Sequence, residues 1–390
     1  MSSTRLQQIT LQPQVLRWAR ERAGLDPETL ARKVKVTPET VLEWEQSGEI
    51  GLKQVDKLAQ SAHIPLGFLY LPEPIQDELS IPDFRTVNDQ SVPSPSPDLI
   101  ETVQLMQRRQ DWLREEMIEQ GQEKCSLAGS IKLGTPPEQA AAGLRESLGL
   151  ESDWAESRSS WTDALAYLRD VIEAAGVVVV FNGVVGNNTH RKLDPSEFRG
   201  FALADSYAPL IFVNGADAKA AQLFTLVHEL AHICIQESGV SNLDALQPLS
   251  HDVELSCNAI AAEFLVPAHK LQELWSDRPV SEDPYQWLAR RFRVSSIVAA
   301  RRALDLGLIT KDDFFQFYQS WQENEKSNML NRPSGGSFWN NQNVRIGNLF
   351  GTAVIRAVRE GRLTYREAYS LTNLKSKSFD QFVEKIEARG

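Results

Sequence analysis

Cysteine is nearly absent from this chain, with three in 390 residues: Cys125, Cys234 and Cys257. So sparse and odd a set excludes a disulfide framework and fits a reducing compartment. Histidine is almost as scarce, at six residues, so any pair at ligand spacing stands out. Long apolar runs are missing too. A stretch such as 177–181 is far short of the roughly 20 residues that span a bilayer. Residues 1–14 hold no apolar run between a basic start and a cleavage site, so no signal peptide is read. Excess positive charge is also lacking. A net charge of −11 excludes a chain that coats nucleic acid with its whole surface and leaves any DNA contact to a local patch. These absences lead to the expectation of a cytoplasmic protein without membrane contact.

The 42 % of apolar residues is enough for packed cores, and the length predicts two to four domains. Residues 13–75 read as a helical unit. A first helix stops at Gly24; Asp26 and Pro27 open a second, and Thr37 and Pro38 open a third that ends before Gly48. A fourth covers 52–62. The short turn Lys35-Val36-Thr37 between the second and third predicts a helix-turn-helix. The stretches Leu16-Arg17-Trp18-Ala19-Arg20 and Thr37 to Glu45, with Gly48 and the tail 65–73, resemble the phage-repressor-like (XRE-type) helix-turn-helix domains. Residues 76–160 read as a linker and helical connector, with a helix over 97–120. The region 161–275 is expected to form one domain: a helix over 161–175 closed by Gly176, strands near 177–182, 198–204 and 209–214, and a long apolar helix capped by Asp217. A helix over 252–266 stops at Pro267. Residues 276–390 read as helical, broken at Gly335-Gly336, with a second helix-turn-helix pattern over 364–386.

The apolar helix carries His228-Glu229-Leu230-Ala231-His232. Residues four apart share a helix face, so His228 and His232 present two imidazoles to one ion while Glu229 projects beside them, where a water would sit. With so few histidines, chance gives this pattern in on the order of one chain in a hundred. Two imidazoles and a carboxylate on an otherwise apolar helix need a compensating partner, and a divalent cation supplies one. A catalytic zinc takes a third protein ligand and keeps one position open. Glu254, Glu263 and His251 are the candidates. Glu254 leads, because Asn258 follows it by four residues and offers a ligand imidazole an acceptor. Cys234 and Cys257 read as small buried apolar residues. His190 and Tyr207 are candidates for assisting a transition state.

Residues 197–205, 209–214, 224–232 and 254–267 are similar to the ImmA/IrrE family of zinc metallo-endopeptidases. The resemblance implies Zn²⁺ on His228, His232 and Glu254, Glu229 as general base, and a protein substrate: a helix-turn-helix repressor whose cleavage relieves repression. The expected fold class is α+β and mostly helical, with an N-terminal helix-turn-helix bundle (1–75), a zincin-like domain with a small sheet, and a helical C-terminal region. If strand 209–214 is a sheet edge, an extended substrate can add to it. The competing class is a DNA-binding regulator or antitoxin-like module with a non-catalytic metal site. For that reading the third helix lacks Arg and Lys and carries Glu39, Glu43 and Glu45, and residues 1–75 hold nine cations and nine anions. Only Arg32, Lys33 and Lys35 stand ready to hold DNA phosphates. The oligomeric state is not legible.

Overall fold

Local signals start most of the helices. In the computed structural model, which describes residues 8–75, 79–82, 95–241, 252–279, 281–330 and 344–388, β1 (Gln8–Thr10) leads into α1 (Pro13–Arg22), α2 (Pro27–Val34) and α3 (Pro38–Ser47). Each of these helices opens on proline, whose missing N–H costs nothing in a first turn. Asp26 accepts the Thr29 N–H at 2.6 Å and Thr37 that of Thr40 at 3.3 Å. α2 ends at Lys35 in the left-handed region (φ 62°). β2 (Glu49–Gly51) pairs with β1, and α4 (Leu52–Ser61) follows. Val15, Leu30, Val34, Val41, Ile50 and Val55 form the core of this unit.

One expectation about α3 is corrected. Glu45 does not sit on an exposed acidic face: it is buried and accepts Arg20 Nε at 2.5 Å and Arg20 Nη2 at 3.0 Å. Only Glu39 and Glu43 of the three are exposed. Arg32, Lys33 and Lys35 are exposed as well.

The chain divides into two compact units, Met1–Leu79 with Ser94–Glu101, and Ser80–Pro93 with Thr102–Gly390. The helix α5 (Pro97–Glu119) starts in the first and continues into the second, which also holds α6 (Pro137–Ser147), α7 (Trp161–Ala174), β3 (Val178–Asn182), β4 (Gly200–Leu203), β5 (Leu210–Asn214), α8 (Lys219–Ile235), β6 (Gly239–Ser241) and α9 (Asp252–Leu265). There follow α10 (Ala268–Asp277), α11 (Pro284–Phe292), α12 (Ser296–Asp305), α13 (Lys311–Leu330), α14 (Asn348–Arg359), α15 (Tyr365–Thr372) and α16 (Ser376–Glu387). The fold is α+β and mostly helical. Gly335 and Gly336, read as a helix break, lie outside the described residues.

The sheet order is β3-β5-β4-β6. β3 runs parallel to β5, whereas β4 is antiparallel to both β5 and β6. The strand expected as a docking edge, β5, is therefore interior: both of its edges are already hydrogen-bonded, so no substrate can add to it. Alternation along the strands sorts the two faces. Ala202, Ile211 and Val213 join Leu226 and Leu230 of α8 in the main core, while Phe201 and Phe212 stack at 4.8 Å on the other side. Asp217 lies just before α8 but does not cap it. The N-cap is Ala218, without a side-chain bond, and Asp217 instead approaches Arg199 at 3.6 Å.

The C-terminal helices are anchored on buried polar groups. Arg109 of α5 is enclosed and donates to the Leu371 and Arg345 carbonyls, both at 2.9 Å, and burial lowers its pKa to about 10. Glu173 of α7 accepts the Leu349 N–H at the start of α14. Gly347 (φ 85°) lets the chain pass there, since a Cβ would lie 3.2 Å from both Glu173 Oε1 and the Val179 carbonyl.

Burial holds the Glu173 carboxyl up at about 7, against an ordinary 4.5. Between these values the folded chain keeps a proton that the unfolded chain releases, so stability falls as pH rises through the window. Glu173→Gln keeps the acceptor and removes the charge. It is expected to raise stability at pH 8 by up to about 3 kcal/mol and to change little at pH 4. Urea denaturation at the two pH values measures this, and an equal effect at both would remove the charge explanation.

Candidate metal centre

α8 places two imidazoles one turn apart on one face. The rings of His228 and His232 lie 4.8 Å apart and their Nε2 atoms 3.1 Å apart. α9 packs across α8 and brings Glu254 to the same point, with Oε2 3.3 Å from His228 Nε2 and Oε1 3.0 Å from His232 Nε2. One donor atom from each of the three residues lies within 4.8 Å of the others. Both histidines are fully buried, as is Glu229, and Glu254 nearly so. Leu223, Leu226, Val227, Leu230 and Ile233, on the same helix, belong to the main core. The hydrophobic effect that drives α8 inward thus takes the polar groups with it.

Burying these groups costs several kcal/mol for each charge unless the charges are matched. A protein-only solution would be an ion pair. Burial works to lower His228, but Glu254, Glu229 and Asn258 together outweigh it and leave His228 raised. His232 is lowered, chiefly by burial. Burial works to raise Glu254, but the two imidazoles hold it well below the usual carboxylate range. The geometry does not complete that ion pair. Glu254 Oε1 makes no aligned hydrogen bond among the described residues, although His232 Nε2 is 3.0 Å away. Three ligand atoms crowded on one point suit a cation, and two nitrogens with one carboxylate oxygen are a zinc donor set. The thiols do not compete. Cys234 and Cys257 are buried, and burial raises both, Cys234 to about 12.

Asn258, one turn beyond Glu254, helps hold the His228 pKa up, although His228 Nδ1 makes no aligned hydrogen bond among the described residues; outer support of this kind fixes a ligand imidazole when such a bond is made. Glu263, the second candidate for third ligand, is committed elsewhere. Its carboxylate pairs with Arg302 and accepts the Ala268 N–H at the start of α10 at 3.2 Å. His251, the third, lies outside the described residues. His190 is exposed in the loop between β3 and β4, where its backbone N–H donates to Asn188. Tyr207 sits in the turn between β4 and β5, its N–H on Asp205 and its ring under Lys124. Neither is brought into the three-residue cluster.

One contributor escaped the sequence reading except as part of a motif. A Cβ at Gly200 would lie 2.6 Å from Thr225 Cγ2 and 2.9 Å from both Glu229 Oε1 and the Phe212 carbonyl. Any side chain there would push on Glu229. A lone glycine inside an apolar strand is the available signal, since it marks close approach.

Zinc is expected at about one ion per chain, with His228→Ala, His232→Ala and Glu254→Ala each losing most of it by elemental analysis. Full metal content in Glu254→Ala would move the third ligand elsewhere. Gly200→Ala is expected to keep its zinc and to lose hydrolysis by about tenfold or more, because a misplaced catalytic group readily costs that much. Unchanged turnover would show that Glu229 tolerates the crowding.

The comparisons with known proteins agree with the site. No curated protein sequence matches the chain. Residues 346–385, which span most of the last three helices, match a domain of unknown function, DUF8813. Residues 172–304, which carry the sheet, α8 and α9, match the Peptidase_M78 family model, described as the IrrE N-terminal-like domain.

Proposed function

We propose that the chain is a zinc-dependent metallo-endopeptidase with a regulatory role, cutting a partner helix-turn-helix repressor in the cytoplasm and so relieving repression. The observation that carries this reading is the convergence of His228, His232 and Glu254 beside Glu229. The match of the enclosing residues to Peptidase_M78 supports hydrolysis over a purely structural ion.

His228, His232 and Glu254 would hold the zinc, which supplies Lewis acidity toward the scissile carbonyl when bound. Glu229 takes the proton of the attacking water and returns it to the leaving amine nitrogen. Gly200 leaves room for Glu229, and Asn258 supports His228. Glu254, held ionised by its neighbours, keeps the role of ligand and not of acid.

The helix-turn-helix partner rests on the resemblance to the ImmA/IrrE family and on the fused N-terminal unit. That unit is suited to choosing targets. With Glu45 paired internally, the exposed part of α3 still carries Glu39 and Glu43 and no cation. Glutamate repels phosphate, so a protein surface fits this helix better than a DNA groove. Exposed Arg32, Lys33 and Lys35 favour the second reading, a DNA-binding regulator. Binding through them alone would be weak and strongly salt-dependent.

Glu229→Gln preserves the ligands and removes the base. It is expected to bind zinc normally and to cleave about 100-fold more slowly or worse. The parent is expected to cut a repressor encoded beside its gene and to leave casein nearly untouched. Cleavage by Glu229→Gln at the parent rate would remove Glu229 from the mechanism. Nanomolar operator binding by the full chain, without proteolysis, would favour the DNA-binding regulator.

A further inference from the structure

A four-stranded sheet has two outer edges. β3 has the chain at Gly347 passing close to its Val179 carbonyl. β6 is the other edge, next to β4, whose Gly200 lies against Glu229 of the metal centre. Its Ser241 is paired with Gly200, the residue whose absent side chain leaves room for Glu229. An extended polypeptide that reaches this centre by strand addition would pair with β6, because β5 is interior and β4 is paired on both sides.

That edge already has an occupant from the same chain. The Val240 N–H donates to the Pro82 carbonyl at 3.0 Å, and Val240 is completely buried. Two residues earlier, Ser80 Oγ donates to Gln107 Oε1 of α5 at 2.8 Å. Gln110, almost one turn further along α5, holds the Leu203 carbonyl at the end of β4 at 2.8 Å and the Ala208 carbonyl just before β5 at 3.0 Å. One helix therefore fixes both the sheet and the segment that covers its edge. Adjacent strands lie about 4.8 Å apart, so a chain in the position of residues 80–82 runs about 10 Å from the strand bearing Gly200.

We propose that β6 is the polypeptide-docking edge of the metal centre and that residues 80–82 are its resident strap, which an extended substrate must displace. This inference rests on the peptidase reading of the site. Ser80 and Pro82 are exposed and Ile81 is half-buried, so the strap can lift without emptying the core. Pro82 presents a carbonyl to Val240 but, as proline, has no N–H to extend the ladder. The strap thus caps the edge and does not build a further strand. Such a strap would keep unstructured chains off the edge until one displaces it.

The test uses the full chain with zinc and the Glu229→Gln substitution, so that binding is read without cleavage. The probe is fluorescently labelled casein, an unstructured polypeptide. One variant replaces Ser80, Ile81 and Pro82 with glycine; another, Ser80→Ala, deletes only the anchor to Gln107 and poses little risk to folding. The triple variant is expected to expose the Val240 amide to faster hydrogen exchange and to bind casein about fivefold more tightly, the gain for a strap closed in about four molecules of five. Ser80→Ala is expected to shift both readouts the same way by less. Unchanged Val240 exchange in the triple variant, or casein affinity equal to the parent's in both variants, overturns the proposal. Failure of the peptidase reading would show separately, as a parent chain that holds zinc and hydrolyses nothing, while the binding and exchange readouts stand or fall alone.

Discussion

The structure depends on burying charge where the sequence demands apolar packing. α8 is driven inward by its leucines, isoleucine and valine, and His228, Glu229 and His232 go with them to zero exposure. Once there, they cannot be satisfied by water. Glu254 comes from a separate helix, so the matching charge arrives only if α9 is packed correctly across α8. The cost of leaving these groups unmatched exceeds what any one apolar side chain contributes, about 1.5–3 kcal/mol. The packing of α8 on α9 and the integrity of the centre are therefore a single requirement. Glu263 shows the same logic further along α9. Its pairing with Arg302, whose Nε also donates to the Val266 carbonyl at 3.1 Å, secures the end of that helix.

The sheet serves this arrangement by what it excludes. β4 approaches α8 closely enough at Gly200 for the backbone to form one wall of the Glu229 pocket. β5 is locked between two neighbours. Of the two outer edges, β3 has the chain at Gly347 close by, and β6 donates the Val240 N–H to the Pro82 carbonyl. Under the strap proposal, competition at β6 would set selectivity without distorting the His228, His232 and Glu254 cluster, which stays buried in a stiff core.

Much of this was legible in the sequence, for identifiable reasons. The helix boundaries of the N-terminal unit follow from Asp26-Pro27, Thr37-Pro38 and Gly48, which act locally and need no tertiary context. His228, His232 and Glu254 were readable because helical spacing fixes which side chains share a face. The failures have a common cause, since each concerned a partner distant in sequence. Glu45 reads as one more solvated glutamate until Arg20, 25 residues away, is placed against it. Asp217 has the form of an N-cap, yet Arg199 competes for it. The position of β5 inside the sheet depends on strand order, which periodicity does not encode. Gly200 shows no chemistry of its own, and its role exists only as a distance to Glu229.

The turn that suggested DNA binding recurs in ways that weaken that inference. α2 and α3 are joined by Lys35 in the left-handed region, a partly buried Val36 and the cap Thr37. α11 and α12 are joined by Arg293 (φ 54°), a buried Val294 and the cap Ser295. α15 and α16 are joined by Asn373 (φ 56°), a buried Leu374 and Lys375. The recipe is the same each time: one left-handed residue turns the chain, an apolar residue plugs the gap between the helices, and the next residue opens the second helix. It is a packing solution, and it says nothing by itself about nucleic acid. The charges of the second helices differ. α3 shows Glu39 and Glu43. α12 has Arg302 turned inward to Glu263 and Arg301 bound to Asp305 at 3.0 Å. α16 mixes Lys377 and Lys385 with Asp380, Glu384 and Glu387. None presents the unopposed cations that phosphate contact requires. Three copies of one turn in a chain of net charge −11 are better explained by the economy of joining short helices than by three DNA-reading heads.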